Sequence, residues 1–168
     1  MGVSILDGTI EEAVLKRSIR NIRVFHHVRF RLRDGGTKSI AKPVVDASVA
    51  HLLQPGASGR FYLYTSIDQR GIHGVRADHG HAAFGFPKNN EIAMLVVLII
   101  NLVWVGITLG TLAAAPILGT ILVLLSGPYY LYLNKLRHDA KRQFDGDSHY
   151  APAPSAVPRL DPEPAVGA

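Results

Sequence analysis

The chain has 168 residues, which is enough for one small domain with attached segments. Its composition is 48% hydrophobic and 18% charged with a net charge of +5, an average typical of globular proteins that hides an uneven distribution of apolar residues. The absence of cysteine excludes disulfides and thiolate chemistry. Early acidic residues and the lack of an uninterrupted apolar stretch near the start lead us to expect no signal peptide.

The first 87 residues carry the pattern of a small β-rich domain. The clearest predicted strand is Ile22–Arg33, where apolar and basic residues alternate and Phe25 falls on the basic side of the alternation. A glycine-containing turn leads to a second predicted strand, Thr37–Val45, in which Pro43 indicates an edge position or an early end.

A short helix and three further strands are expected in the rest of this domain. Asp46 is a suitable N-cap for a helix over Asp46–Leu53. Strands are predicted at Arg60–Ile67, Ile72–Ala77 and Ala82–Phe86, with glycines between and within them that permit sharp bends. Five or so short strands with glycine corners predict a β-rich, barrel-like domain of OB or SH3 type over residues 1–87.

The stretch from Ile92 to Leu133 contains no ionisable side chain. A single helix of its 42 residues would be about 63 Å long, whereas about 20 residues span the ~30 Å hydrocarbon core of a bilayer. We therefore predict a transmembrane helical hairpin over residues 88–133, with spans near 92–109 and 116–133. The alternative, a helical hairpin buried in a soluble protein, needs a larger core than a domain of this size provides.

Cations flank the predicted hairpin on one side only. Lys88 precedes the first span, and four cations follow the second: Lys135, Arg137, Lys141 and Arg142. The turn between the spans carries no charge. The positive-inside rule therefore predicts a multi-pass protein of the inner (plasma) membrane with both termini in the cytoplasm.

Two segments follow the predicted hairpin. Residues 134–144 are basic and are expected to continue the second helix as a juxtamembrane helix. Residues 145–168 are rich in proline and alanine and poor in large apolar groups, so they bury too little surface to offset chain entropy. We expect this tail to be disordered.

Basic residues are concentrated before and within the first predicted strand: Lys16, Arg17, Arg20, Arg23, Arg29, Arg31 and Arg33. On the strand, the last three of these share a face with Phe25 and His27. Guanidinium groups beside an aromatic ring suit phosphates and bases, as in nucleic-acid-binding barrels. The alternatives are a solvated strand face, or one that binds a protein partner or anionic lipid headgroups.

A second pattern overlaps this basic run. Lys16-x-x-x-Arg20, followed later by Asp46-x-Ser48, resembles the arginine pair and the DxSxxG signature of PilZ domains, which are β-barrels that bind a cyclic dinucleotide. Lysine replaces the first arginine of that pattern, and His51 occupies the place of its glycine. The resemblance covers only these residues, and it implies a cyclic dinucleotide as the ligand.

Metal and catalytic motifs are scarce. Asp78-His79-Gly80-His81 offers two imidazoles and a carboxylate, so His79 and His81 are weak candidates for zinc or copper ligands. A closed site needs further ligands, and the favoured interpretation is an exposed glycine-rich turn. The sequence has no nucleophile elbow, P-loop, dinucleotide fingerprint or H-E-x-x-H motif. We therefore expect no metal, no cofactor and no enzymatic activity.

Small residues recur in the predicted spans. Gly106-x-x-x-Gly110 and Ala115-x-x-x-Gly119 let helix backbones approach closely, either between the two spans or with a partner. Asn101 is expected to form a hydrogen bond across a helix interface. Since no ionisable residue lies in the spans, an ion or proton relay is not expected.

These patterns predict a membrane-anchored, non-enzymatic accessory subunit, adaptor or scaffold with a cytoplasmic β domain. Its expected partners are the lipid bilayer and another membrane protein or a second copy of the chain. The alternative is a ligand-sensing module that binds a nucleotide, another small molecule or a nucleic acid through the basic strand face.

Overall fold

The computed structural model describes residues 2–108 and 115–150. Strands predominate before residue 88, and two long helices follow. In chain order the elements are β1 (Gly2–Ile19), β2 (Ile22–Leu32), β3 (Thr37–Ala41), β4 (Val44–Asp46), α1 (Ala47–Ala50), β5 (Ser58–Thr65), β6 (Arg70–Ala77), β7 (Ala82–Phe84), α2 (Asn89–Thr108) and α3 (Ala115–Gly146).

Five of the strands form a closed barrel. They follow the order β1-β5-β6-β4-β2, and pairing of β2 with β1 closes the ring. Strand β3 extends alongside β2, and β7 extends alongside β6. The pairing of β4 with β6 is parallel, and the other described pairs are antiparallel. The prediction of a β-barrel followed by two long apolar helices is confirmed.

The longest strand, β1, was not predicted. Its first half pairs with β5 and its second half with β2, with register shifts in the second half. A strand is recognised in a sequence by apolar and polar residues that alternate with a period of two. In β1 the bulges and the change of partner interrupt that alternation. A Cβ on Gly8, where the two pairings overlap, would lie 2.3 Å from the Arg31 carbonyl oxygen, so glycine is required there.

Strand β2 matches the predicted strand, but its alternation changes phase near His26. His27 pairs with Val14 and Phe25 pairs with Leu15, which leaves His26 without a partner in this ladder. Phe25 therefore points into the core, where it is 5% exposed. The prediction that Phe25 lies on the basic face was wrong, because a bulge reverses which face each residue occupies.

The predicted second strand is divided in two. Lys42, with φ of 50°, separates β3 from β4, and the Pro43 carbonyl accepts a hydrogen bond from the Phe25 amide. The helix that follows is shorter than predicted, and Asp46 caps it by accepting a hydrogen bond of 2.9 Å from the Ser48 amide. The other three predicted strands correspond to β5, β6 and β7.

The barrel interior is filled by apolar side chains. Phe30 and Phe61 meet edge to face with ring centroids 4.9 Å apart, and Val28, Val45 and Ile72 are fully buried around them. A small barrel has room only for such side chains, so its interior is a packed core and leaves no channel. The interior therefore offers no space for a ligand among these packed side chains.

Helices α2 and α3 are each long and apolar enough to cross a membrane. Many of their large apolar side chains are exposed, as at Ile107 (67%) and Leu118 (66%). Helix α3 runs without a break to Gly146, through Pro128 and the basic segment 134–144. The residues that join α2 to α3 lie outside the described part of the chain.

The second half of α3 packs on the outside of the barrel. Leu136 and Ala140 form a buried cluster with Tyr64 and Phe86. Further along, Phe144 contacts Tyr62 with ring centroids 5.1 Å apart, and it fills the space above Gly74, where a Cβ would lie 2.7 Å from its ring. We call this region the α3-covered face: Tyr62, Tyr64, His73, Phe84 and Phe86 on the barrel, with Leu136, Ala140 and Phe144 on α3.

The first residues of the predicted disordered tail are in fact fixed to the barrel. Asp145 and Gly146 belong to α3, and Asp147 accepts hydrogen bonds from the Tyr62 hydroxyl and, at 2.9 Å, from Arg60 Nη1. Tyr150 accepts a hydrogen bond of 2.7 Å from Arg33. These polar contacts involve partners distant in sequence, so composition alone missed them. Residues 151–168 lie outside the described part.

Candidate functional site

Three of the predicted basic residues are ion-paired. Each cation at the far end of β2 has a carboxylate partner: Arg29 Nη1 lies 3.7 Å from Glu12 Oε2, Arg31 Nη2 lies 2.7 Å from Glu11 Oε1, and Arg33 Nη2 lies 3.1 Å from Asp78 Oδ1. Two of the acids belong to β1, the strand that the sequence did not reveal. No acidic residue occurs within the basic run of the sequence, but the fold places acidic residues from other segments beside its cations.

The other four predicted cations lie near the turn that joins β1 to β2. Arg23 Nη1 donates to the carbonyl oxygens of Arg20 (3.0 Å) and Ile22 (3.2 Å), so it braces the turn. Arg20 has a positive φ of 45° at this turn. Lys16 and Arg17 are exposed and line a cavity. The structure therefore divides the predicted seven-residue site into separate groups.

This cavity, which we call the basic cavity, has a volume of about 600 Å³. Lys16 and Arg17 line it from β1, Lys42 from the junction of β3 with β4, and Arg70 from the start of β6. In the described ranges, none of these four cations forms an ion pair. Lys42 and Arg70 were not singled out in the sequence, because they are far from the basic run along the chain.

Asp68 is the acidic residue on the wall of the basic cavity. Its carboxylate accepts hydrogen bonds from Ser66 Oγ at 2.9 Å and from Asn90 Nδ2. Although partial burial opposes ionisation, the nearby Tyr129 hydroxyl and the hydrogen bonds from Ser66 and Asn90 hold the pKa of Asp68 below its usual value. The carboxylate is therefore ionised at neutral pH and bonds Asn90 of α2, and within the described residues it forms no ion pair with the four cations.

A second cavity, of about 630 Å³, lies where the barrel meets α2 and α3. Its wall includes Asp46 and Ser48, whereas Lys16 lines the basic cavity. Of the residues that resemble the PilZ pattern, Asp46 and Ser48 thus line one cavity and Lys16 lines the other, while Arg20 lines neither. The cations of the second cavity are already paired in part, since Arg137 Nη1 lies 3.1 Å from Glu91 Oε1.

The candidate metal ligands lie on a surface turn between β6 and β7. His79 and His81 are exposed, and Gly80 takes a positive φ of 86° at the turn. Their neighbour Asp78 pairs with Arg33 instead. Within residues 2–108 and 115–150, no three side chains of His, Cys, Asp or Glu come together as a metal site.

His73 is a buried titratable group on the α3-covered face. It is 0% exposed and is surrounded by Tyr62, Tyr64 and Phe84, with ring centroids 5.9 to 6.3 Å away. Burial lowers the pKa of His73 to about 4, against an opposing effect of the Ala140 backbone. The imidazole is therefore neutral at pH 7 and acts as a packing residue.

The predicted helix-packing residues have different surroundings. A Cβ on Gly119 would lie 2.8 Å from Val105 and 3.1 Å from Trp104, so this glycine lets α3 approach α2 closely. At Gly106 a Cβ would meet no atom of the described residues within 4 Å. Gly110 and the side chain of Ala115 lie outside the described part. The Asn101 amide donates to the Val97 carbonyl of its own helix at 2.7 Å, instead of across the interface as predicted.

No family model, curated protein or solved structure matches this chain. The arrangement of its own residues is therefore the basis for any functional assignment. Two features stand out: a barrel face that α3 covers, and an open cavity lined by four cations that form no ion pair with the described residues.

Proposed function

We propose that the protein is a membrane-anchored, non-enzymatic accessory subunit, adaptor or scaffold. In this proposal α2 and α3 cross the inner membrane as a hairpin, both termini are cytoplasmic, and the barrel lies beside the cytoplasmic surface. The exposed apolar side chains of both helices and the cations that flank the hairpin on one side support it. The partner is another membrane protein or a second copy of the chain.

The continuity of α3 carries this proposal. The helix passes from its apolar half to the α3-covered face with no linker between them. Leu136 is 4% exposed and Ala140 is 0% exposed, so the barrel is packed directly on the anchor. A sensor that must swing freely needs a flexible linker. A barrel held in one orientation is suited instead to present a surface to a partner in the same membrane.

We further propose that the barrel is of OB type. With β3 and β4 merged as one broken strand, the closed barrel has five strands, and its third strand pairs in parallel with its fifth, β6. The short helix α1 lies between that third strand and the fourth, β5. A five-stranded Greek-key barrel is the OB arrangement, and strand order favours it over the SH3 alternative.

The absence of native cysteine allows a direct test of the orientation. Thr111→Cys places a thiol in the turn between the predicted spans, and Ser18→Cys places one on the exposed β1–β2 hairpin. In intact cells, a membrane-impermeant thiol reagent should label the first variant and spare the second. Labelling of Ser18→Cys from outside would overturn the proposed orientation.

Association with a partner is tested by purification of the full chain in a mild detergent. We expect a second component, or a second copy, to remain bound at a fixed ratio. Leu136→Ala, which loosens the barrel from α3, should release the partner, whereas the matched surface variant Lys135→Ala should retain it. Recovery of the wild-type chain as a lone monomer would contradict the accessory role.

Binding of nucleotide or nucleic acid is a second candidate, favoured by the OB-type strand order. It predicts salt-sensitive binding of a short single-stranded oligonucleotide by the full chain in detergent. The ion pairs of Arg29, Arg31 and Arg33 argue against the basic strand face as that site. No binding at either of two salt concentrations would exclude this candidate.

A further inference from the structure

We propose that the basic cavity binds the phosphate group of an anionic phospholipid from the membrane that anchors the chain. This inference rests on the membrane anchoring proposed above. The cavity is lined by Lys16, Arg17, Lys42 and Arg70, and none of these has a carboxylate partner in the described part of the chain. Unpaired cations from three separate chain segments repel one another unless an anion lies between them.

The contrast with the neighbouring arginines is informative. Arg29 and Arg31 lie on the same hairpin as Lys16 and Arg17, yet β1 supplies Glu12 and Glu11 as their partners. Among the described residues that line the basic cavity, Asp68 has the one carboxylate, and it accepts hydrogen bonds from Ser66 and Asn90. On one part of the hairpin the cations are thus neutralised by carboxylates of β1. At the cavity no described carboxylate pairs with them.

The β5–β6 loop places the basic cavity close to the residue at which the first proposed span begins. Asp68 in this loop accepts a hydrogen bond from Asn90, in the first turn of α2. Ile67, the adjacent residue, is 62% exposed and also lines the cavity. An exposed isoleucine next to cations, at the level where a span begins, is the arrangement expected at the boundary of headgroups and acyl chains.

The backbone at Lys42 adds an independent indication. Its φ of 50° is unusual for a residue other than glycine or asparagine. The conformation is held by a hydrogen bond of 2.9 Å from the Lys42 amide to the His26 carbonyl. Strained backbone of this kind is concentrated at ligand-binding positions, and here it places a lysine on the cavity wall.

The side chains that line the basic cavity favour a lipid over a nucleic acid as its ligand. Proteins that bind single strands stack bases on aromatic rings between their cations. In the part of the chain that the structure describes, no aromatic side chain lines the basic cavity. Apart from the charged residues and Gln69, the wall consists of small and aliphatic groups such as Val24, Val44 and Ile67. A volume of about 600 Å³ is within the range of small-ligand sites and suits one phosphodiester headgroup.

The test compares lipid binding by the full chain and two charge-matched variants. Delipidated protein in detergent is titrated with short-chain phosphatidylglycerol, and native mass spectrometry counts the bound lipid. Lys16→Gln combined with Lys42→Gln should weaken binding about thirtyfold, since each cation near an anionic lipid contributes about a factor of five. Arg29→Gln combined with Arg31→Gln removes the same charge from ion-paired positions and should leave binding within about threefold of wild type.

A single variant separates binding from folding. Lys42→Gly removes the cation and places glycine at a positive φ, where it is favoured. Its melting temperature should equal or exceed that of the wild type while its lipid affinity falls. A loss of stability together with a loss of binding would show that Lys42 is structural, and would overturn its role as a ligand-binding residue.

The remaining arms distinguish the source of the phosphate. Phosphatidylcholine, inorganic phosphate and a short oligonucleotide are titrated under the same conditions, and each should bind at least tenfold more weakly than phosphatidylglycerol. Equal binding of inorganic phosphate would assign the cavity to a free anion, and preference for the oligonucleotide would assign it to nucleic acid; either result overturns the lipid proposal. A chain that inserts correctly but shows no lipid preference refutes this inference alone, whereas a chain that fails the cysteine-labelling test refutes the anchoring as well.

Discussion

The α3-covered face and the basic cavity differ in whether the charged side chains beside them have partners. Beside the covered face, Arg60 donates to both oxygens of Asp7 at 2.7 Å and to Asp147 at 2.9 Å, and its guanidinium lies 4.4 Å from the centre of the Tyr150 ring. At the basic cavity, cations of the same kind have no such partners in the described residues. Ion pairs in the first region stabilise the packing of α3 on the barrel. At the cavity, like charges lie close together, and their repulsion is expected to lower stability.

The largest effect is expected where α3 meets the barrel. Leu136→Ala removes a side chain that is 4% exposed and leaves a void, so the free energy of unfolding should fall by about 3 kcal/mol. Lys135→Ala, one residue earlier and exposed, should change it by less than about 0.5 kcal/mol. Thermal unfolding of the full chain in detergent measures both. Similar values for the two variants would show that α3 is not docked on the barrel.

The α3-covered face should also be sensitive to acid. The pKa of His73 is about 4 in the folded chain because of burial, against an ordinary value of 6.5. Below pH 6.5 the unfolded chain binds a proton that the folded chain does not, so stability falls as the pH drops to 4, by at most about 3 kcal/mol. Above pH 6.5 this contribution does not vary with pH.

Two variants isolate that acid sensitivity. His73→Leu should flatten the pH dependence of the melting temperature between pH 6.5 and 4. His138→Gln, at an exposed position on α3, should leave the dependence as in the wild type. If the His73→Leu profile keeps its slope, other groups are responsible for the acid sensitivity.

The ion pairs beside the covered face should give an intermediate effect. Arg60→Gln breaks the contacts to Asp7 and Asp147 in a half-buried environment, and we expect a loss of about 2 kcal/mol in the free energy of unfolding. Residues 147–150 should become more accessible at the same time, since Asp147 loses its ion pair with Arg60 and keeps the hydrogen bond from the Tyr62 hydroxyl. Protease cleavage near residue 150 should therefore be faster in this variant than in Arg23→Gln.

The smallest effect is expected on the exposed strand face, and it sharpens the comparison with the cavity. Arg31→Gln breaks an exposed ion pair with Glu11 and should cost less than about 1 kcal/mol of unfolding free energy, with a smaller cost at high salt. Lys16→Gln removes an unpaired cation and should leave stability unchanged or slightly raised at low salt. A larger loss from Lys16→Gln than from Arg31→Gln would mean that the cavity cations are not unpaired.

The sequence predicted those parts of the fold that local patterns encode. The stretch without ionisable residues from Ile92 to Leu133 led to the two long helices, and the alternation in Ile22–Arg33 led to β2. Strand β1 was missed because its bulges and its exchange of partners remove the period. The phase change near His26 was missed for the same reason, and with it the burial of Phe25.

The candidate site was less predictable than the fold. Its cations Lys42 and Arg70 line the same cavity as Lys16 only because the fold brings three segments of the chain together there. The basic run suggested an anion-binding strand, yet whether each cation is free depends on acids in other strands, such as Glu11 and Asp78. A count of charges along the chain therefore identified the hairpin but not the part of it that remains unpaired.

The unbroken course of α3 has a mechanical consequence. Its 32 residues form a rod about 48 Å long that begins in the proposed bilayer and ends on the barrel. Bilayers of different thickness change the tilt of the helices that cross them. Because α3 has no flexible linker between the proposed span and the barrel, a change in its tilt must also rotate the barrel relative to the headgroups. Pro128 lacks the amide that would bond Leu124, so bending of the rod should concentrate there, near the cytoplasmic end of the proposed span.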